Sequence, residues 1–192
     1  MPLLLLAMGS IGNTLAGTAD DAEVLTILLE FFQQDANRLS HQNTQVEERD
    51  GHIVGALVSY HGSRCEELDH PFLERQRAQY GRVRRHIARE AQPDEYYLDS
   101  LAVAEAYRGQ GIATALIAAF EARAATLAHQ NVALLAEASN VPAYRLYRRL
   151  GYEADGTLSI DGHDFHHMMK RLQRPCDAID DFSPVSGWNI AG

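Results

Sequence analysis

Apolar and polar positions alternate along the first 60 residues in a way that predicts two helices followed by a pair of strands. Apolar residues recur at helical spacing in 20–36, and the apolar stretch 3–16 predicts an earlier helix. Thr44–Arg49 and Ile53–Tyr60 have the composition of strands, and Asp50-Gly51 between them is a typical hairpin turn. The chain therefore begins, by pattern, as helix, helix and β-hairpin.

A charged stretch, 62–93, separates this hairpin from a third strand, Tyr96–Val103, which is rich in aromatic and branched residues. We expect a helical insert in which Asp69 caps a helix, Pro71 occupies its first turn and Gly81 interrupts it. The insert carries a run of arginines: Arg75, Arg77, Arg82, Arg84, Arg85 and Arg89. A solvated helix face is the simpler interpretation, and an element that binds an acidic acceptor is the alternative.

The second half of the chain alternates helices and strands. Gly151 is placed to end the second of its helices, and Asp161-Gly162 to turn a final hairpin. This order predicts a single α/β (α+β) domain over 1–172, followed by an irregular tail, 173–192. The predicted elements are a helix over 111–129, a strand over 132–136, a helix over 140–150 and strands over 152–160 and 165–172.

The composition suits a globular domain: the chain has 192 residues, 46% of them apolar, and a net charge of −9. That charge argues against nucleic acid and anionic membrane surfaces as partners. The apolar run Met1–Met8 lacks a basic start and is too short to cross a bilayer, so we expect it to be the buried face of a helix. Cys65 and Cys176 show no metal or disulfide spacing, which favours a cytoplasmic location.

The candidate chemistry begins where the apolar strand ending at Val103 leads into the glycine-bearing loop Arg108–Ala113. A helix that starts after such a loop presents free backbone N–H groups and the positive end of its dipole, which suits a phosphate. The loop has neither the spacing of a dinucleotide site nor that of a P-loop. By itself it indicates a tight turn or, alternatively, an unrelated nucleotide-phosphate binder.

A second segment, Asn140–Tyr152, makes the signal specific. Together the two segments resemble the paired signature motifs of the GNAT superfamily of acetyltransferases, over roughly residues 45–172. The first pattern, Arg/Gln-x-x-Gly-x-Gly/Ala, is matched at Arg108, Gly111 and Ala113. The second, Asn-x-x-Ala-x-x-Leu-Tyr-x-x-Leu-Gly-Tyr/Phe, is matched at Asn140, Ala143, Leu146, Tyr147, Leu150, Gly151 and Tyr152.

The resemblance implies a mixed, mostly antiparallel central sheet flanked by helices, and an N-acetyltransferase that uses acetyl-CoA. An amine of a small molecule or peptide would attack the thioester directly. Acetyl-CoA would lie along the end of the third strand, with its pyrophosphate on the glycine loop and Asn140 holding it or capping the helix beneath. The implied cofactor-binding residues are Leu101, Ala102, Val103, Arg108, Gly109, Gln110, Gly111, Ile112, Ala113 and Asn140.

The catalytic residues are implied less directly. Tyr147 stands where family members usually carry the tyrosine that protonates the leaving thiolate, although its spacing alone would make it a core residue. Asp99, Glu137 and Glu105 are candidates for the general base, and we select Asp99. The alternative function is a non-catalytic acyl-CoA sensor on the same fold.

Two further features are unlike a standard member. His163, His166 and His167 crowd the last strand, but no partnering cysteine or carboxylate is evident, so we expect structural roles and no metal. The family's usual first strand, which carries an Arg-x-Ala motif, is missing from the start. Either the start is truncated or misassigned, or the tail 173–192 or a partner chain covers the exposed edge. A bare sheet edge invites pairing, so a homodimer is possible.

Overall fold

The computed structural model describes residues 10–173 together with Leu3 and Met8. Within these residues the chain forms five α-helices and six strands. The helices are α1 (Ser10–Ala16), α2 (Asp21–Gln33), α3 (Cys65–Tyr80), α4 (Ile112–Thr126) and α5 (Val141–Arg149). The strands are β1 (Thr44–Arg49), β2 (His52–His61), β3 (Glu95–Val103), β4 (Asn131–Glu137), β5 (Glu153–Ile160) and β6 (His163–Arg171).

The strands form one sheet in the order β1-β2-β3-β4-β6-β5. All neighbours are antiparallel except β3 and β4, which run parallel because α4 connects them as a crossover. The expected α+β fold with a mixed, mostly antiparallel sheet is therefore confirmed.

Both faces of the sheet are covered by helices. One core contains α1, α2 and α3, with Leu15, Leu28 and Phe72 almost fully buried against alternate residues of β2. The other contains α4 and α5, with Phe120 and Tyr152 buried. Because residues of one strand point alternately to the two faces, β2, β3 and β4 contribute to both cores.

Most local predictions agree with these bounds. Both Asp-Gly turns have positive φ at both residues, as a two-residue hairpin turn requires. Asp20 caps α2, which ends earlier than predicted, at Gln33. Gly81, at φ +70°, ends α3. Of the helix predicted over 3–16, residues 10–16 are helical, and residues 4–7 lie outside the described part.

The predicted start of the insert helix is wrong. Helix α3 begins at Cys65, so Asp69 and Pro71 lie inside it rather than at its cap and first turn. Burial of Leu68 and Phe72 in the first core stabilises the earlier turns and outweighs the local capping signal. The helical part of the insert ends at Tyr80.

No strand precedes β1 in the described part of the chain, and the outer edge of β1 has no partner there. The tail predicted over 173–192, with Cys176, lies outside the described residues apart from Gln173. None of the described helices has the length and apolar content needed to cross a membrane.

Gly62, just after β2, is where two segments touch. A Cβ atom at this position would lie 1.9 Å from the backbone carbonyl oxygen of Gln92. Only glycine permits this contact, which fixes the segment before β3 against the end of β2. The same segment is held by a carboxylate of Glu95, which accepts a 2.7 Å hydrogen bond from the Gln92 amide.

Carboxylates partner two of the three histidines of β6, so the expectation that they lack such partners is wrong. His163 contacts Glu137, and the ring of His166 packs on Tyr144. His167 lies between two carboxylates, 2.5 Å from Asp155 and 3.2 Å from Glu95. No group of three or more His, Cys, Asp or Glu side chains among the described residues is arranged to hold a metal ion.

The position of His167 predicts a pH-dependent contribution to stability. Its hydrogen bond to Glu95 and its contact with Asp155 raise its folded-state pKa to about 9, above an unfolded value of about 6.5. The stabilisation is therefore complete below pH 6.5 and is lost as the pH rises through 9. We expect the difference in unfolding free energy between wild type and His167→Gln, measured with urea, to shrink between pH 6 and pH 10. His52→Gln, at an exposed position, serves as control, and a pH-independent difference for His167→Gln would contradict this account.

Candidate functional site

Strands β3 and β4 separate part-way along their length. Their parallel pairing runs from Glu95 opposite Asn131 to Leu98 opposite Leu134 and then stops. Beyond this point β3 continues to Val103 beside β2, and β4 continues to Glu137 beside β6. The facing edges therefore leave main-chain groups free of strand partners and open a cleft through the sheet.

The larger cavity at this cleft, which we call the groove, has a volume of about 560 Å³. It brings together the end of β3, the glycine loop, the first turn of α4 and the helix α5, so the two predicted motifs meet there. Its lining residues are Leu101, Val103, Tyr107, Arg108, Gly109, Gly111, Ile112, Ala113, Thr114, Asn140, Pro142, Ala143, Leu146, Tyr147 and Arg149.

The first turn of α4 presents backbone N–H groups to the groove that have no partner within the helix. Gly111, at φ +81°, is its N-cap and provides no side chain, and the first helical hydrogen bond runs from the Ala115 amide to the Gly111 carbonyl. The amides that precede it in the helix have no acceptor inside the helix. Arg108 and Arg149 add positive charge to the groove of an otherwise acidic protein.

Two of the predicted cofactor residues do not line the groove. The Ala102 side chain is buried in the sheet, 6% exposed. Gln110 is exposed and donates to the Ala106 carbonyl. Asn140 does line the groove, and its side-chain oxygen also accepts from the Ala143 amide, so it caps α5 at the same time.

A smaller cavity of about 150 Å³, which we call the recess, adjoins the groove. The two share Leu101, Asn140, Ala143 and Tyr147. The other residues lining the recess are Ile11, Glu90, Tyr97, Leu98, Asp99, Ser100, Leu135, Ala136, Glu137, Ile160 and Phe165. Three carboxylates, those of Glu90, Asp99 and Glu137, therefore border a space that opens beside the predicted cofactor groove.

Tyr147 is the side chain with reactive potential that borders both cavities. It is 8% exposed, and its hydroxyl has no hydrogen-bond partner among the described residues. Burial raises its pKa to about 12, so the phenol keeps its proton at neutral pH. The hydroxyl oxygen itself is open to the cavities, where water or a bound ligand can accept its hydrogen bond.

Asp99 owes its position to a β-bulge. Val58 of β2 faces Ser100 and the next residue, Ser59, faces Leu98, which leaves Asp99 as the extra residue of β3. One of its oxygens accepts from Arg38 and, at 2.6 Å, from the Tyr60 hydroxyl. The other accepts from the Ser100 hydroxyl at 3.0 Å. Bulges commonly re-aim a side chain beside an active site, and this one directs the carboxylate to the recess.

Behind the recess lies a buried cation that the sequence did not reveal. Arg38 is 2% exposed and pairs with Asp99, with Asp69 at 3.3 Å and with Glu90 at 3.4 Å. Burial acts to lower its pKa, but the three carboxylates more than compensate and hold the pKa above its usual range. Glu90 also accepts a 2.9 Å hydrogen bond from the Tyr97 hydroxyl.

Glu90 and Arg38 were missed for different reasons. Glu90 belongs to the charged insert, whose composition predicts solvent exposure, yet it is 7% exposed. Arg38 is an isolated cation in a loop, and no local pattern separates it from a surface arginine. The other base candidates are less enclosed: Glu137 has its pKa lowered by a hydrogen bond from His163, and Glu105 lines neither cavity.

Removal of the buried cation Arg38 should lower the free energy of unfolding. Arg38→Met leaves three carboxylates without their counter-charge, so we expect a loss of about 3–5 kcal/mol in unfolding free energy at pH 7.5. Arg38 acts to lower the pKa of Asp69 and of Glu90, so both values rise further in the variant, and the loss shrinks as the pH falls and these two groups are protonated. Urea unfolding at pH 7.5 and pH 5 measures both effects.

The matched control is Arg77→Met, because Arg77 pairs with Glu74 at an exposed position. It should change the free energy by no more than about 0.5 kcal/mol. Equal losses in the two variants would show that the Arg38 network does not stabilise the fold.

Comparison with known proteins agrees with this geometry. The family model for the acetyltransferase (GNAT) family matches residues 18–152. The structure of an acetyltransferase is 28% identical to the chain, with a TM-score of 0.71, and the match covers 88% of this chain and 92% of that one. An N-acetyltransferase from Staphylococcus aureus Mu50 is 26% identical, with a TM-score of 0.67 and the same coverage of both chains.

A third structure, a GNAT family acetyltransferase from Elizabethkingia anophelis with acetyl-CoA bound, shares the fold at 15% identity. Its TM-score is 0.50, and the match covers 89% of each chain. No curated protein matches the chain by sequence. The family model spans more than half of the chain and includes both motifs, so this protein belongs to the GNAT family and is an N-acetyltransferase.

Proposed function

We propose that the groove binds acetyl-CoA and that the acceptor amine reaches the thioester from the recess. The observation that carries this proposal is that the Tyr147 phenol, which has no hydrogen-bond partner among the described residues, borders both cavities. Bound acetyl-CoA supplies a thioester carbonyl that an amine attacks directly, with the sulfur leaving as thiolate. The acceptor is a small-molecule amine or a peptide.

The groove offers what this cosubstrate requires. The free amides at the start of α4 bind the pyrophosphate, with Arg108 and Arg149 supplying local positive charge. The unpaired edge of β3 from Leu101 to Val103 provides main-chain groups for the amides of the pantetheine arm, as an added strand would use them. Acetyl-CoA bound to another protein of this fold supports the assignment.

Tyr147 stabilises the departing sulfur. Because its pKa lies at about 12, it donates a hydrogen bond to the developing thiolate at any physiological pH. When the phenol gives its proton to the sulfur, the proton that the nitrogen loses as the C–N bond forms and the C–S bond breaks restores the phenol.

Asp99 receives the first proton, which the ammonium must lose before its nitrogen can attack the thioester. Arg38 and Tyr60 occupy one of its oxygens, whereas the other accepts only from Ser100 and keeps a free lone pair. The bulge that directs this carboxylate to the recess places it on the acceptor's side. A cytoplasmic location and a homodimer stay predictions.

The Tyr147 role is tested by Tyr147→Phe. We expect kcat to fall by about 100-fold, since one donor to the developing charge is lost, while the Kd for acetyl-CoA changes little. Thiol release measures turnover, and calorimetry measures binding.

Tyr144→Phe is the matched control, because Tyr144 lies on the same helix, packs on His166 and borders neither cavity. Unchanged turnover in Tyr147→Phe would remove the phenol from the mechanism. Absence of acetyl-CoA binding to the wild type would overturn the proposed function.

A further inference from the structure

We infer that the acceptor is an aliphatic amine that enters the recess as a cation and carries no carboxylate near its reacting nitrogen. This inference rests on the proposed function, because it assigns the recess to the acceptor. The observations behind it are the volume of the recess, the charges that border it and the unpartnered donor at its junction with the groove.

The volume limits what enters. A cavity of about 150 Å³ has room for about five groups the size of water or methylene. It therefore holds an amine with a short aliphatic stretch, and a larger acceptor would keep the rest of its structure outside. Apolar surface from Leu135, Ile160 and Phe165 suits such a stretch.

The charges favour a cation. Glu90, Asp99 and Glu137 border the recess, and none of the residues that line it is a lysine or an arginine. Arg38 lies behind it and is shared among Asp69, Glu90 and Asp99, so three carboxyl groups share one cation. Burial raises the pKa of Asp69 and of Glu90 despite this cation. An ammonium group would offset this excess, whereas a carboxylate would add to it.

A second observation is that a free hydrogen-bond donor lies at the recess. The Tyr147 side chain is more than nine-tenths buried, borders the recess and has no hydrogen-bond partner in the described part of the protein. Its hydroxyl oxygen is open to the cavity and is available to donate to water or to a bound ligand. It lies where the recess meets the groove, which places the end of the acceptor beside the thioester.

The arginines of the insert do not support a negatively charged acceptor. Arg77 pairs with Glu74, and Arg75 donates to the Ala16 carbonyl. Arg84 stacks on Tyr80 within the same segment. None of the insert arginines borders the recess, so the acidic acceptor suggested by their number in the sequence lacks support at the site.

Three probes of equal chain length test the inference: butylamine, 1,4-diaminobutane and 4-aminobutanoate. Each is titrated by calorimetry into the full-length protein saturated with CoA, and each is offered as acceptor with acetyl-CoA. We expect both cationic probes to bind at least tenfold more tightly than 4-aminobutanoate, and kcat/KM to follow the same order. Equal or tighter binding of 4-aminobutanoate, or no binding of either cationic probe at millimolar concentration, would overturn the inference.

Failure of the proposed function is separable from failure of this inference. If CoA does not bind, the proposed function fails, and the amine titrations are then judged on the free protein. If CoA binds and acetyl transfer occurs without preference among the probes, the function stands and the inference fails.

Glu90→Gln removes one charge at nearly constant volume. We expect it to weaken binding of 1,4-diaminobutane about tenfold and to narrow its advantage over 4-aminobutanoate, with the affinity for CoA unchanged. Glu66→Gln is the control, because the Glu66 side chain is 92% exposed. An unchanged preference in folded Glu90→Gln would contradict the role of this carboxylate, and if the variant does not fold, the three-probe comparison in the wild type decides.

Discussion

Strands β3 and β4 hydrogen-bond to each other only between Glu95 and Leu98, and both cavities lie where that pairing has ended. If the parallel pairing of β3 and β4 continued, their main-chain groups would hydrogen-bond to each other and the sheet would have no opening. The divergence instead exposes the edge of β3 to the groove and admits α5 with Tyr147 to the same opening. Helices cover both faces of the sheet, and both cores are buried without hydrogen bonds between β3 and β4 beyond Leu98. The fold therefore tolerates this opening.

The electrostatic character of the site depends on contacts between distant parts of the chain. Arg38 comes from the loop after α2, Asp69 from the middle of α3, Glu90 from the insert and Asp99 from the bulge in β3. One buried guanidinium therefore joins four segments that are separate in sequence. A network of this kind is sensitive to the loss of any partner, because each remaining buried charge is left with its cost of desolvation.

Local sequence patterns correctly predicted the turns and helix ends that depend on only a few neighbouring residues. The two Asp-Gly turns, the end of α3 at Gly81 and the glycine-first start of α4 each follow from the backbone freedom or capping of a few neighbouring residues. The two motifs also predicted the meeting of loop and helix that forms the groove. Asp69 shows the limit of this reasoning, since a capping signal beside a proline was overruled by burial of Leu68 and Phe72. The charge of the recess could not be predicted from the sequence, because no sequence feature distinguishes Glu90 from its exposed neighbours.

The close contact at Gly62 constrains the position of a segment that lines the recess, although Gly62 itself does not line it. The Gln92 carbonyl lies against the backbone of residue 62, and Glu95, which holds the Gln92 amide, also contacts His167 of β6. The segment that carries Glu90 is therefore held between the end of β2 and the β5–β6 hairpin, although neither of these two contacts borders the recess. Any side chain at position 62 would push this stretch away and alter the cavity wall by displacement alone. Position 62 therefore affects the shape of the recess although it is not one of the residues that line it.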